Sequence, residues 1–218
     1  MCKVFVIILF FIIGIGLYVF PEIDIFVSSL FYAPQKGFIF KHNLYAMVIS
    51  KTAILFNVFL FIALSFILLL RYYKIKKLDK KILYLLLICS LVPGFLIHKV
   101  VKEIYHRARP YSIVEFGGKA KFSPAPEISN QCYKSCSFVS SHAAIGFMFF
   151  AFAFLKRGKK RKNTMLFAIF LGLFLGFVRI MQGKHFLSDV LYSGMLTFLI
   201  SYFLYKMLDL YKEDKVST

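Results

Sequence analysis

Six apolar stretches divide this chain, and they constrain its fold more than any other feature. They cover residues 4–20, 52–70, 82–97, 137–155, 165–181 and 190–208. At ~1.5 Å rise per helical residue, each can cross a hydrocarbon core about 30 Å thick if it continues a little past these bounds. The expected architecture is therefore all-α, a polytopic bundle of six transmembrane helices in a single integral membrane domain over residues 1–218. Of the 218 residues 60% are hydrophobic, against roughly 45–50% in soluble domains. Three runs are short: 82–97 carries Pro93-Gly94, 137–155 needs its serines and His142 to reach full length, and 165–181 ends near Arg179. All three border the same polar cluster. The first run is longer than the ~7–15-residue core of a signal peptide, and no small-x-small site follows, so it reads as a retained helix. Cys2 lacks the leucine-containing context of a lipidated cysteine.

The formal net charge is +18. Nucleic acid is not the expected partner, because the basic runs are short and lack interleaved aromatics. Loops 71–81 and 156–163 are dense in Lys and Arg and read as cytoplasmic. That places both termini in the cytoplasm and residues 21–51, 98–139 and 182–189 outside. Lys99, Lys102, Arg107, Arg109, Lys119, Lys121 and Lys134 lie in one outer loop. Of these, Arg107, Lys119, Lys121 and Lys134 are candidates for contacting an acidic headgroup, a solvated loop being the alternative. The stretch 20–40 mixes apolar residues with Pro, Gly and two acids, as an amphipathic interfacial helix would. Cys132 and Cys136, close together in an outer loop, are candidates for a disulfide. Cys89 reads as core.

Three polar clusters flank the outer ends of the last four helices: "KEIYHRARP" with Lys102 and Arg109, "VSSH" with Ser140, Ser141 and His142, and "VRIMQGKHFLSD" with Arg179, His185 and Asp189. Taken singly, each has a structural explanation: a snorkelling cation, a helix N-cap, a His–Asp pair one helical turn apart. Together they describe a phosphate site. Arginines hold phosphate through paired N–H donors, and a helix N-terminus adds backbone N–H groups. Asp189 would orient His185 as a nucleophile, and His142 would protonate the leaving oxygen. Lys102, Arg109 and Arg179 would carry transition-state charge. This chemistry calls for no metal or other cofactor.

The order Lys-x6-Arg-Pro (Lys102, Arg109, Pro110), Ser-x-His (Ser140, His142) and Arg-x5-His-x3-Asp (Arg179, His185, Asp189) resembles the type 2 phosphatidic acid phosphatase superfamily. The motif region spans residues 102–189. The resemblance implies metal-independent hydrolysis through a phosphohistidine on His185, with His142 as acid. It also implies Lys102, Arg109, Ser140, Arg179 and the Ser141 N–H as phosphate ligands. Two positions depart from the family pattern. Ser141 replaces a glycine, and Val178 replaces a serine.

A site at the outer interface suits a membrane lipid phosphate in the bacterial inner membrane, with the active site facing the periplasm. The small size and altered middle motif resemble the lipid A phosphatases of Gram-negative bacteria more than the larger undecaprenyl pyrophosphate enzymes, which implies lipid A as substrate, with the 4′-position ahead of the 1-position. Undecaprenyl pyrophosphate, phosphatidylglycerol phosphate and phosphatidic acid are alternatives. A non-catalytic transporter or lipid-binding protein is a further one, but it predicts polar residues spread along the helices rather than gathered at one end.

Overall fold

The computed structural model describes residues 2–76 and 78–211, and within them it leaves aside the side chains of residues 2–7, 9–11, 98 and 99. The C-terminal tail, Lys77 of the expected inner loop and the side chain of Lys99 thus lie outside the described residues. Helices dominate. Helix α1 (Cys2–Val19) is followed by α2 (Glu22–Ser29), and the two meet at an angle of 81° across Pro21. A hairpin of β1 (Tyr32–Ala33) and β2 (Gly37–Phe38) leads to α3 (Leu44–Ile75). Then come α4 (Lys80–Ser90), a π-helix (Leu91–Val101) and α5 (Lys102–Tyr105). A long irregular segment leads to α6 (Ser141–Phe147), α7 (Phe149–Phe154), α8 (Gly158–Met181) and α9 (Leu187–Met207).

Four of these segments are long and apolar enough to cross a membrane: Leu44–Ile75, Lys80–Ser112, Gly158–Met181 and Leu187–Met207. The bent pair α1–α2 makes a fifth if counted as one span. The fourth apolar run falls short, because helix occupies only Ser141–Phe154, about 21 Å at 1.5 Å per residue. Its first residues are held outside the helix instead. Ser137 N–H donates to Arg107 C=O (2.8 Å), and Ser140 N–H to Asp189 C=O (3.1 Å).

The basic stretch 156–163 is not simply a loop. Helix α8 begins at Gly158 and includes most of it, consistent with the good helix propensity of Lys and Arg. Arg161 also reaches back to the carbonyls of Ala153 (3.3 Å) and Phe154 (2.8 Å), closing the C-terminal end of α7. The break in the third run has a local cause. Pro93 has no N–H to offer Cys89 C=O four residues earlier, and the π-turns begin there. The Asn57 side-chain amide donates to that carbonyl instead (3.3 Å).

Within the stretch 20–40, eight residues are helical, and the polar side of that helix faces the protein: Asp24 and Ser28 are buried, while Ile23, Phe26 and the adjoining Leu30 are exposed. Large apolar side chains also face outward along the long helices. Leu55, Phe59, Leu69, Phe170 and Phe203 point outward, where hydrocarbon would cover them. The inner contacts of α3 come from Ala46, Ser50, Ala53 and Leu64. Small residues let helix backbones approach closely. At Gly146 an added Cβ would run into the backbone of Gly172, so α6 and α8 touch at a glycine pair.

Candidate active site

One end of the bundle gathers the polar residues. A cavity of about 280 Å³ is lined there by Lys102, Arg109, Ser141, His142, Arg179 and His185, together with Ile54, Asn57, Pro93, Gly94 and Ile145. Three separate segments supply the six polar groups, and hydrogen bonds lock those segments together. The Ser140 backbone is gripped by α9, its N–H donating to Asp189 C=O and its own C=O accepting from the Ser193 hydroxyl (2.8 Å). The Tyr111 N–H donates to Gly183 C=O (3.0 Å), tying the segment after Arg109 to the turn before His185. Gly183 holds φ +66°, and Phe38 packs where its side chain would be, so glycine suits this turn on both counts.

Individual groups are poised differently. Lys102 and Arg179 are buried. Arg179 donates from Nη1 to Gln182 Oε1 (2.7 Å) and Ser50 Oγ (3.2 Å). Its Nε and the Ser141 Oγ are buried without a hydrogen-bond partner among the described residues, which leaves them available to a ligand oxygen. Arg109 donates from Nε to Ser135 C=O (2.6 Å). That carbonyl belongs to the short loop closed by the Cys132–Cys136 disulfide, whose Cα atoms are 5.6 Å apart. Cys89 is a buried free thiol.

Two predicted residues do not line the cavity. Ser140 is the N-cap of α6, and its hydroxyl accepts from Ala143 N–H (3.4 Å). Asp189 lies behind His185, with its Oδ2 3.5 Å from His185 Nδ1. That is longer than a hydrogen bond, although catalytic contacts of this kind often tighten when substrate binds. Asp189 Oδ2 accepts from the Phe186 N–H (2.8 Å) and from the Ser137 hydroxyl. The Phe186 bond lets the Asp189 carboxylate satisfy a free N–H at the start of α9. His185 is 1% exposed. Burial, and then the charges of Lys102, Arg109 and Arg179, hold its ring well below the ordinary imidazole range, so the ring is neutral at pH 7.

Arg107 overturns the expectation that it meets a headgroup. It is 0% exposed and makes ion pairs with Asp189 (2.7 Å) and Asp24 (2.8 Å). Its sequence looked like one more outer cation. The signal available was that Asp24 is one of two acids in a largely apolar stretch, and a buried acid needs a partner. Removing one member of such a buried pair costs about 3–5 kcal/mol. Among the described residues, no group of three or more His, Cys, Asp or Glu is placed to hold a metal.

Residues 81–212 match the model of the PAP2 superfamily. The chain belongs to that superfamily. Family relationship also extends beyond the matched region. The chain is 32% identical over 202 residues to the lipid A 4′-phosphatase of Francisella tularensis subsp. novicida (strain U112), covering 89% of this chain and 90% of that one. It is 32% identical over 99 residues to the lipid A 4′-phosphatase of Rhizobium leguminosarum, covering 45% of this chain and 42% of that one. No solved structure matches. As a PAP2 protein with these relatives, the chain is a phosphoric monoester hydrolase, a lipid phosphatase carried on helices long and apolar enough to cross a membrane.

Proposed function

We propose that this chain removes the 4′-phosphate of lipid A through a phosphohistidine formed on His185. One observation carries the reading: six residues of the three polar clusters, Lys102, Arg109, Ser141, His142, Arg179 and His185, line a single cavity. In the proposed reaction Lys102, Arg109, Arg179 and the Ser141 N–H hold the phosphoryl oxygens. His185 attacks phosphorus in line with the ester oxygen. His142 gives that oxygen a proton as the P–O bond breaks, so the lipid leaves as an alcohol. Water then attacks the phosphohistidine, His142 takes its proton, and inorganic phosphate is released with His185 restored. Asp189 orients the His185 ring. Ser140 acts through its hydroxyl, which caps the helix that carries His142.

The 4′-position is supported by the relative that matches nearly the whole chain, a lipid A 4′-phosphatase. The reading places one domain over residues 1–218 in a bacterial inner membrane, with six crossings, both termini in the cytoplasm and the cavity open to the periplasmic side. Short α6–α7 would serve as the fourth crossing. The test is incubation of the purified protein, in detergent with chelator, with bis-phosphorylated lipid A, undecaprenyl pyrophosphate, phosphatidylglycerol phosphate and phosphatidic acid. Mass spectrometry should show lipid A losing one phosphate, the 4′-group. Preferred loss of the 1-phosphate, or faster turnover of another lipid, would contradict the substrate assignment.

A further inference from the structure

Arg107, Asp24 and Ser188 form a buried polar knot that the phosphate chemistry above does not use. Arg107 Nη1 donates to Asp189 Oδ1 (2.7 Å) and Ser188 Oγ (2.8 Å), Nη2 to Asp24 Oδ2 (2.8 Å), and Nε to Ser123 C=O (2.8 Å). Phe186 and Phe122 flank the guanidinium, with ring centroids at 4.4 Å and 5.5 Å from its carbon. Asp24 in turn accepts from the Ser188 N–H (2.8 Å) and the Ser188 hydroxyl. Arg107, Asp24, Ser188 and Asp189 are all at most 2% exposed.

None of Arg107, Asp24 and Ser188 lines the cavity, so none is placed to touch phosphate. What the knot fixes is the Asp189 carboxylate. Its Oδ2 is the oxygen near His185, and two neutral donors already share that atom. Its Oδ1 is held by Arg107. Without that charge-assisted bond the carboxylate would be held from its Oδ2 side alone and would lose its ionic anchor, so the alignment of Oδ2 with Nδ1 would loosen. Arg107 is itself clamped from its far side by Asp24, on the short helix α2, whose Ile23, Phe26 and Leu30 face outward. The seating of α2 thus reaches the histidine through three consecutive polar contacts.

We propose that Arg107 and Asp24 are positioning residues for the nucleophile, making phosphoryl transfer depend on the docking of α2. The proposal rests on the function proposed above. Misplacing a reacting group by about 1 Å can cost ~100-fold in rate. Asp24→Asn keeps the shape and the acceptor for Ser188 N–H while removing the charge. Ser188→Ala removes one hydroxyl from the knot and is the milder change. Arg107→Lys keeps the charge but not the fork.

The experiment measures kcat, KM and the melting temperature of each variant in detergent, with bis-phosphorylated lipid A as substrate. Asp24→Asn and Arg107→Lys should lower kcat by ~10-fold or more with KM changed less than ~2-fold, because partners behind a reacting group act on rate rather than on phosphate affinity. Ser188→Ala should show the same split to a lesser degree, and it keeps the test open if the other two fail to fold. Folded variants with wild-type kcat, or a loss confined to KM, would overturn the positioning role alone. Inactive wild-type protein would overturn both it and the function it rests on.

Discussion

Ser141 occupies the position that is usually glycine in the middle motif of PAP2 proteins. Its hydroxyl is buried at the cavity wall without a partner among the described residues. A glycine there would offer only its N–H, whereas serine adds a donor that an incoming phosphoryl oxygen can use. Replacing Ser141 by Ala keeps the N–H and removes that donor. The expected result is a KM raised ~10-fold, the scale of one hydrogen bond to a charged group, read from initial rates on lipid A.

His185 gives a prediction in pH. Burial and three neighbouring cations lower its proton affinity, so the ring stays neutral as pH falls through about 6.5, the ordinary imidazole value. NMR of labelled histidine in the substrate-free protein should show His185 unprotonated at that pH; half-protonation there would contradict the assignment. The same shift has a cost. The unfolded chain binds this proton below about pH 6.5 and the folded chain does not, so this group makes stability fall as pH drops below that value.

At the scale of elements, the reach of the sequence depended on whether a signal was local. The three motifs were legible because each is a short run of residues with its own chemistry, and six of their side chains do meet at one cavity. The start of α8 was not legible from hydropathy, since its first turns are basic and gain stability from α7 carbonyls that only the folded chain brings near. The role of Arg107 was hidden for the same reason: its partners are 83 and 82 residues away in sequence. Pro93 was visible as a break. The amide that compensates it, on Asn57, is 32 residues from the carbonyl it serves.

The Cys132–Cys136 loop gives a prediction at this scale. It presents the Ser135 carbonyl to Arg109 Nε, so it steadies a proposed phosphate ligand. Changing both cysteines to Ser should raise KM for lipid A several-fold while kcat changes less, because the loop holds Arg109 and not His185. An unchanged KM would separate the loop from the site.

Across the whole molecule, large apolar side chains cover the outside of the long helices, while the interior packs aromatics such as Phe147, Phe150, Phe154 and Phe198 beside small residues. Its charged chemistry lies at one end of the bundle, as expected of an enzyme working on a headgroup at the membrane surface. The proposed orientation predicts that a reporter fused after Thr218 reads cytoplasmic. It also predicts that a cysteine introduced at exposed Tyr133 in a cysteine-free background reacts with an impermeant thiol reagent added from the periplasmic side. A periplasmic reporter signal would invert the topology and the face from which substrate arrives.

The central claim is that phosphate passes through His185. It is tested most directly by rapid quenching of the protein with lipid A labelled with ³²P at the 4′-position, followed by mapping of the labelled peptide. The account predicts transient label on His185 that is stable to alkali and lost in acid, and no label in His185→Ala. Turnover by His185→Ala, or label on another residue, would contradict it.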